Sequence, residues 1–369
     1  MAKKATRSTG STGNALFDVL KAPRHIFESS EIVRLFSQVS ESRVQQLASG
    51  LAQYISTNLP AAFEKRNRLV DYRTNPYVLM TAASVMNLDD PRRFADFLFN
   101  SKLYMALETS FGKSVESILV GPYPMQQTDK WQDAPEKLAE FAELKGLGRQ
   151  DKARRRTQSV WREVDKSCVV GKRRFLTGIK SGPNTINDTQ VQAMTTALAE
   201  HHETWLEQSK KTYPQVEELD IVIGLTYGTD RTTNNKDNQI LAKLLDHGFV
   251  EEHRERCPGV LIDSKTQTIR VYRRIGQEFW AFIGNPCEST SATFVFLEIL
   301  LGLAKALDIV VETGPLEDRV NKKIQQLPIA LSQLQFPRNS LPAWVREKFS
   351  EKELFWFATA MSAFFDEGI

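Results

Sequence analysis

Cysteine is scarce in this chain. Cys168, Cys257 and Cys287 are the only three, and their unrelated spacings fit neither a disulfide framework nor a zinc site. Such usage suits a reducing compartment, so the cytoplasm is the expected location. Long apolar runs are missing too. The most apolar window, 293–311, is broken by Glu298, Lys305 and Asp308, which predicts a buried helix running into a strand and argues against a membrane span. No apolar stretch follows the basic opening MAKKATRSTGSTGNA; a secretory signal is not expected there, and residues 1–15 read as a flexible tail. No internal repeat is visible. A phosphate-binding P-loop is excluded because Leu107 stands where the glycine before Gly112-Lys113-Ser114 is required. No Gly-x-Ser-x-Gly elbow occurs. His253 and Cys257 have no second pair to complete a tetrahedral site, and the adjacent His201 and His202 point in different directions from a helix.

What is present is ordinary globular composition, 41% hydrophobic and 25% charged over 369 residues, enough for one large domain or two smaller ones. The net charge of +3 is small, but its distribution is uneven. Between Lys145 and Lys180 stand twelve lysines and arginines and only three acids, Asp151, Glu163 and Asp165. Arg154-Arg155-Arg156 and Lys172-Arg173-Arg174 are the cores of this region. A run of this kind is either a solvated surface or a polyanion contact.

Apolar spacing predicts two helices over 30–59, another from Asn75-Pro76, and one opened by Asp89-Asp90-Pro91. A further helix, SFGKSVESILVG, is followed by a charged helix from about Pro135 to Lys145. From Ser159 the pattern changes: SVWREVDKSCVVGKRRFLTGIK carries β-branched and aromatic residues on both sides of Gly171-Lys172, as a β-hairpin does. A turn, a long helix, the buried strand LDIVIGLTYG and the helix QILAKLLDHGF follow. GVLIDS, TIRVYRR and FWAFIG read as strands, TFVFLEILLGLAKAL as a helix, DIVVET as a strand, and the rest as helices. Strands between helical layers predict the α/β class.

Chemistry concentrates in the hairpin. Leu176, Gly178 and Lys180 share one strand face, and Lys180 ends the strand beside a turn. The preceding strand is expected to carry Glu163 and Asp165 on one face, bringing an acid close to Lys180. A carboxylate that holds a divalent metal, with a lysine that positions the attacking water or steadies developing charge, suits phosphodiester hydrolysis. A surface salt bridge uses the same residue types.

The hairpin, its terminal IKSGP and the Asn-containing turn into a long helix resemble the catalytic core of the PD-(D/E)xK nuclease superfamily, in particular type II restriction endonucleases. The resemblance is densest from about Leu107 to Thr195. It implies a mixed central sheet flanked by helices in a nuclease core over 106–312, with the catalytic hairpin at 159–180. A mainly helical region over 16–105, for dimerisation or DNA clamping, would precede the core, and C-terminal helices over 313–369 would pack on it. Asp165 matches the family's first acid and Lys180 its lysine. The second acid falls at Gly178, which offers no ligand. Gly112 and Glu116 match the Gly-x-x-x-Glu of the family's first core helix, so the resemblance implies Mg2+ held by Glu116, Asp165, the carbonyl of Ile179 and waters. Glu163 is the reserve ligand. Gln190, near the start of the helix after the turn, is a candidate against the phosphate, its ordinary role being a helix cap.

The expected partner is double-stranded DNA. Arg231, Asn234, Asn235 and Lys236 lie in a polar loop with side chains of the types that read base edges. Ser181 and Asn184 lie in the turn after Lys180. Arg154, Arg155, Arg156, Lys172, Arg173 and Arg174 suit phosphates. A homodimer reading a palindrome is expected, with a companion DNA methyltransferase as a genetic neighbour and not a bound partner. Two alternatives remain: a DNA-binding protein of nuclease fold without cleavage, and a less specific repair nuclease.

Overall fold

The computed structural model describes residues 34–64, 69–72, 75–123, 131–182, 185–229, 232, 234–252, 259–312, 315–332 and 342–364. Helix α1 spans Glu41–Glu64, α2 Pro76–Val85 and α3 Pro91–Ser114, the last continuing into one π-helical turn, Val115–Leu119. Helices α4 (Pro135–Ala142) and α5 (Arg149–Gln158) lead to strands β1 (Lys166–Val170) and β2 (Arg173–Lys180). Then come α6 (Asp188–Thr212), β3 (Glu218–Leu225), α7 (Lys236–Leu245), β4 (Phe249–Glu251), β5 (Leu261–Asp263) and β6 (Ile269–Ile275). Helices α8 (Gln277–Gly284), α9 (Val295–Glu312), α10 (Pro315–Ser332), α11 (Ala343–Lys348) and α12 (Glu351–Phe364) complete the described chain.

The class is α/β, with a mixed six-stranded sheet in the order β1-β2-β3-β6-β5-β4. β2, β3 and β6 run parallel, and β1 and β5 pair antiparallel to their neighbours. Alternation along β2 divides its side chains between two layers. Phe175 and Ile179 join Val222, Phe279, Phe282 and Val295 on one face; Leu176 joins Ile223, Val191, Met194 and Trp205 on the other. α1 reaches the first layer through Leu47 and Leu51. A third cluster unites Phe94, Leu98 and Leu79 with Leu327, Leu331 and Trp356, so α10 and α12 pack on the N-terminal helices. Among the described residues no helix is long and apolar enough to cross a membrane.

Local signals explain most boundaries. Asn75 accepts from the amides of Tyr77 and Val78, and Pro76 opens α2. Asp90 caps α3 in the same way. Asn187 and Gln190 close a reciprocal capping box on α6.

Two segments read as strands are helical. FWAFIG lies in α8, and DIVVET continues α9 to Glu312. FWAFIG is a nearly continuous apolar run and DIVVET contains a short one, a pattern that a buried strand and a buried helix share; the packing of Phe279, Trp280, Phe282 and Ile283 on all sides of α8 decides for the helix there. SFGKSVESILVG is the end of α3 and its π-turn, not a separate helix. The basic stretch around Arg154-Arg155-Arg156 forms α5, and Phe249 starts β4 instead of ending the preceding helix.

Candidate active site

The site lies at the carboxyl end of β2, where open α/β sheets commonly place their ligands. β1 starts only at Lys166, so Glu163 and Asp165 belong to the turn before it and share no strand face, contrary to the extended hairpin expected from Ser159. The turn still delivers both acids to β2. The Asp165 amide donates to the Thr177 carbonyl at 2.8 Å, and the Ile179 amide donates to Asp165 Oδ2 at 2.7 Å. Glu163 Oε2 lies 3.5 Å from Lys180 Nζ, and Glu163 Oε1 lies 3.5 Å from Arg162 Nε. The side chains of Lys180, Glu163 and Asp165 are 17%, 13% and 15% exposed, enough shielding to strengthen their mutual electrostatics over those of a surface pair.

Gly178, where the resemblance would place a second acid, has no room for a side chain. A Cβ there would stand 2.6 Å from the Glu163 carbonyl oxygen, so the Glu163 backbone fills the space into which a side chain at 178 would project.

Helix α3 approaches closely from the other side. A Cβ on Gly112 would stand 3.1 Å from Ser181 Cβ, and the glycine lets the helix settle against the end of β2. One turn later, Glu116 comes within electrostatic reach of Asp165, Lys137, Lys180 and Lys166. Its carboxyl is raised above the ordinary carboxylate range by burial first and by the Asp165 charge second, with the three lysines opposing. Glu116 remains exposed at the surface, so the burial is partial.

The floor of the site is built from loop ends. The Thr226 amide donates to the Lys180 carbonyl at 3.1 Å and Thr226 Oγ1 to the Ser181 carbonyl at 2.7 Å. Tyr227 lies against Gly182. Asn234 donates to the Ile186 carbonyl at 2.9 Å, which ties the polar loop to the turn after β2, and Lys236 pairs with Asp188. Asn235, in the left-handed region at φ 61°, precedes α7. Gln190 has its side-chain oxygen committed to the Asn187 amide at 2.9 Å, the role of a cap. Asn184 and Arg231 lie outside the described residues, as does the 1–15 segment.

The two basic clusters separate. Arg154, Arg155 and Arg156 are exposed on α5, and α5 leads through the turn that carries Arg162 and Glu163. Lys172, Arg173 and Arg174 sit at the opposite end of β2 from Lys180. Arg174 is not a surface residue: its side chain is 0% exposed and makes two 2.9 Å hydrogen bonds to Glu136 and one to Ser209 Oγ. Arg173 is drawn into Glu218 and Asp220, and Lys172 pairs with Glu217 at 2.7 Å. The expected phosphate role fails for Arg174 because its guanidinium is used up inside the fold.

The residue that sequence reading missed is Lys137, near the start of α4. Its Nζ lies 2.5 Å from the Val164 carbonyl and 3.4 Å from Asp165 Oδ1. Pro135 at the first helical position marks where α4 begins, but no local pattern aims this lysine at Asp165.

Among the described residues, no group of three or more His, Cys, Asp and Glu side chains is gathered closely enough to hold a metal ion. The oxygen donors at the site suit Mg2+, which uses one or two carboxylates and keeps several waters. Asp165, with Glu116 within electrostatic reach, and the backbone at Ile179 offer that chemistry. On a strand a residue's carbonyl points to the same side as its amide, and the Ile179 amide faces Asp165. No protein-family model matches the chain, and no curated protein matches it.

Proposed function

We propose that this protein is a Mg2+-dependent, site-specific endonuclease of double-stranded DNA, a type II restriction enzyme with a PD-(D/E)xK core. The observation that carries the reading is the meeting, at the end of β2, of Asp165 on the Ile179 amide, Glu163 beside Lys180, and Glu116 within reach of both Asp165 and Lys180. These residues come from a helix end, a turn and a strand end, and a merely structural ion pair would not require all three.

Magnesium held by Glu116, Asp165 and the Ile179 carbonyl would supply Lewis acidity and lower the pKa of a bound water. Lys180 orients the attacking water and stabilises charge that develops on the phosphate oxygens. Glu163 holds Lys180 in place and stands in for the acid that Gly178 lacks. The exposed arginines of α5 follow the DNA backbone, and the loop through Asn234 and Asn235 faces the bases beside the site. Two copies about a twofold axis would present paired sites to a palindrome. The cytoplasm is the compartment this function requires.

Incubation of purified protein with unmethylated plasmid or phage DNA, with Mg2+ or with EDTA, is expected to give discrete Mg2+-dependent fragments. A smear would indicate a less specific repair nuclease, and intact DNA with a retained gel shift a binding protein without cleavage. Replacing Arg154, Arg155 and Arg156 together by alanine is expected to flatten the dependence of log K on log salt by about 0.9 for each phosphate no longer neutralised, without changing sequence preference. An unchanged slope in a salt titration of DNA binding would remove α5 from the interface.

A further inference from the structure

We infer that Lys137 is a positioning residue of this site, clamping Asp165 and the Val164 carbonyl from helix α4 so that the carboxylate meets the end of β2 in one orientation. The inference rests on the nuclease reading above. Both oxygens of Asp165 have a fixed donor: Oδ2 accepts from the Ile179 amide at 2.7 Å, and Oδ1 faces Lys137 Nζ at 3.4 Å. The same ammonium donates to the Val164 carbonyl at 2.5 Å. A residue's backbone and the next residue's side chain are thus held by one cation. Lys137 is only 13% exposed, and its Nζ lies 5.7 Å from the centre of the Phe141 ring. An ordinary surface lysine, by contrast, keeps its head in water.

The segment that carries Lys137 is anchored at four points. Trp131 Nε1 donates to the Ile283 carbonyl at 2.8 Å, and Gln132 exchanges backbone hydrogen bonds with Ser167 on the open edge of β1. Asp133 pairs with Lys166 at 2.8 Å. Glu136, the residue before Lys137, holds the buried Arg174. These anchors tie the segment to β1, β2 and α8 and leave Lys137 facing the turn that holds Val164 and Asp165. The charge of Lys137 also reaches Glu116, so the lysine balances both acids assigned to the metal.

Two effects of opposite sign follow. Without Lys137, Asp165 loses its second support, and a misplaced group of this kind slows chemistry by up to about 10²-fold. Removal of a positive charge beside Glu116 and Asp165 also relieves repulsion of a divalent cation, which strengthens cation binding. A residue needed only for folding would not separate the two.

The test uses the full chain and its Lys137→Met and Lys137→Arg variants. Cleavage is read as kcat and KM, and Ca2+ binding is read by calorimetry. Lys137→Met is expected to lower kcat by about 30- to 100-fold with KM for DNA little changed, and to bind Ca2+ several-fold more tightly; Lys137→Arg, which keeps charge and donors, is expected to recover most of the kcat and the original Ca2+ affinity. Should the methionine variant fail to fold, Lys137→Gln keeps a donor for the Val164 carbonyl without the charge and carries the same test. Cleavage by these uncharged variants at the level of the unaltered protein would overturn the inference alone. So would a kcat loss that arginine does not rescue, or Ca2+ affinity that falls together with kcat. An unaltered protein that neither cuts DNA nor binds Ca2+ would overturn the nuclease reading, and the inference with it.

Discussion

Lys180→Ala is expected to slow Mg2+-dependent cleavage by a factor of about 10² to 10³, the cost of removing one preorganised group that stabilises transition-state charge. Specific DNA binding should stay largely intact, because the lysine sits at the strand end beside Glu163 and, in the proposed nuclease, serves the chemical step. Asp165→Asn is expected to show the same split. Asparagine keeps an oxygen able to accept from the Ile179 amide, now bonded to Asp165 Oδ2 at 2.7 Å, while its NH2 replaces the oxygen that faces Lys137, so the contact with β2 is kept and the charge is lost. Single-turnover cleavage in Mg2+, set against gel-shift affinity in Ca2+, checks both variants. Full cleavage by either variant would sink its assigned role. Loss of binding in both, with the fold preserved, would move these residues from chemistry to docking.

Glu136→Ala is the substitution expected to cost most stability. Arg174 is fully buried, with Glu136 as its carboxylate partner, and removing one member of a buried pair typically costs about 3–5 kcal/mol because the other charge is left uncompensated. The surroundings of Arg174 soften the cost only in part: Ser209 Oγ is a neutral partner at 2.9 Å, and the rings of Trp161 and Tyr213 lie 5.5 and 5.1 Å away. A denaturant titration followed by tryptophan fluorescence measures the change. A loss under about 1 kcal/mol would mean that these neighbours hold the guanidinium without Glu136.

The same pair carries a pH dependence. Burial works to raise the Glu136 carboxyl, but the hydrogen bonds and charge of Arg174 more than offset it and hold the group below the ordinary carboxylate range. A depressed folded-state pKa contributes stability that is present above the unfolded value and lost as the pH falls through the folded one. Glu136→Gln is therefore expected to show less acid sensitivity in that window.

Much of the site is legible in residue type and order. Asp165, Lys180, Glu116 and the turn after β2 can be singled out that way, and they come together at one strand end. That Gly178 breaks the pattern of the resemblance is visible in the sequence, but the close approach of the Glu163 backbone, which leaves no room for a side chain there, is not. The basic clusters show how far composition reaches. Arg154-Arg155-Arg156 and Lys172-Arg173-Arg174 look alike in sequence, yet one lies exposed on a helix and the other supplies the buried guanidinium that fastens α4.

Helix caps, strand alternation along β2 and the α/β class follow from interactions spanning a few residues, and residue order is enough to read them. The helical state of α8 and the end of α9 came from packing, since an apolar run is the same string in a buried helix and a buried strand. Arg174 and Lys137 were settled in the same way. A charged side chain takes its role from the carboxylate and solvent around it, and those neighbours, Glu136 for one and Asp165 for the other, reach it only when the chain has folded.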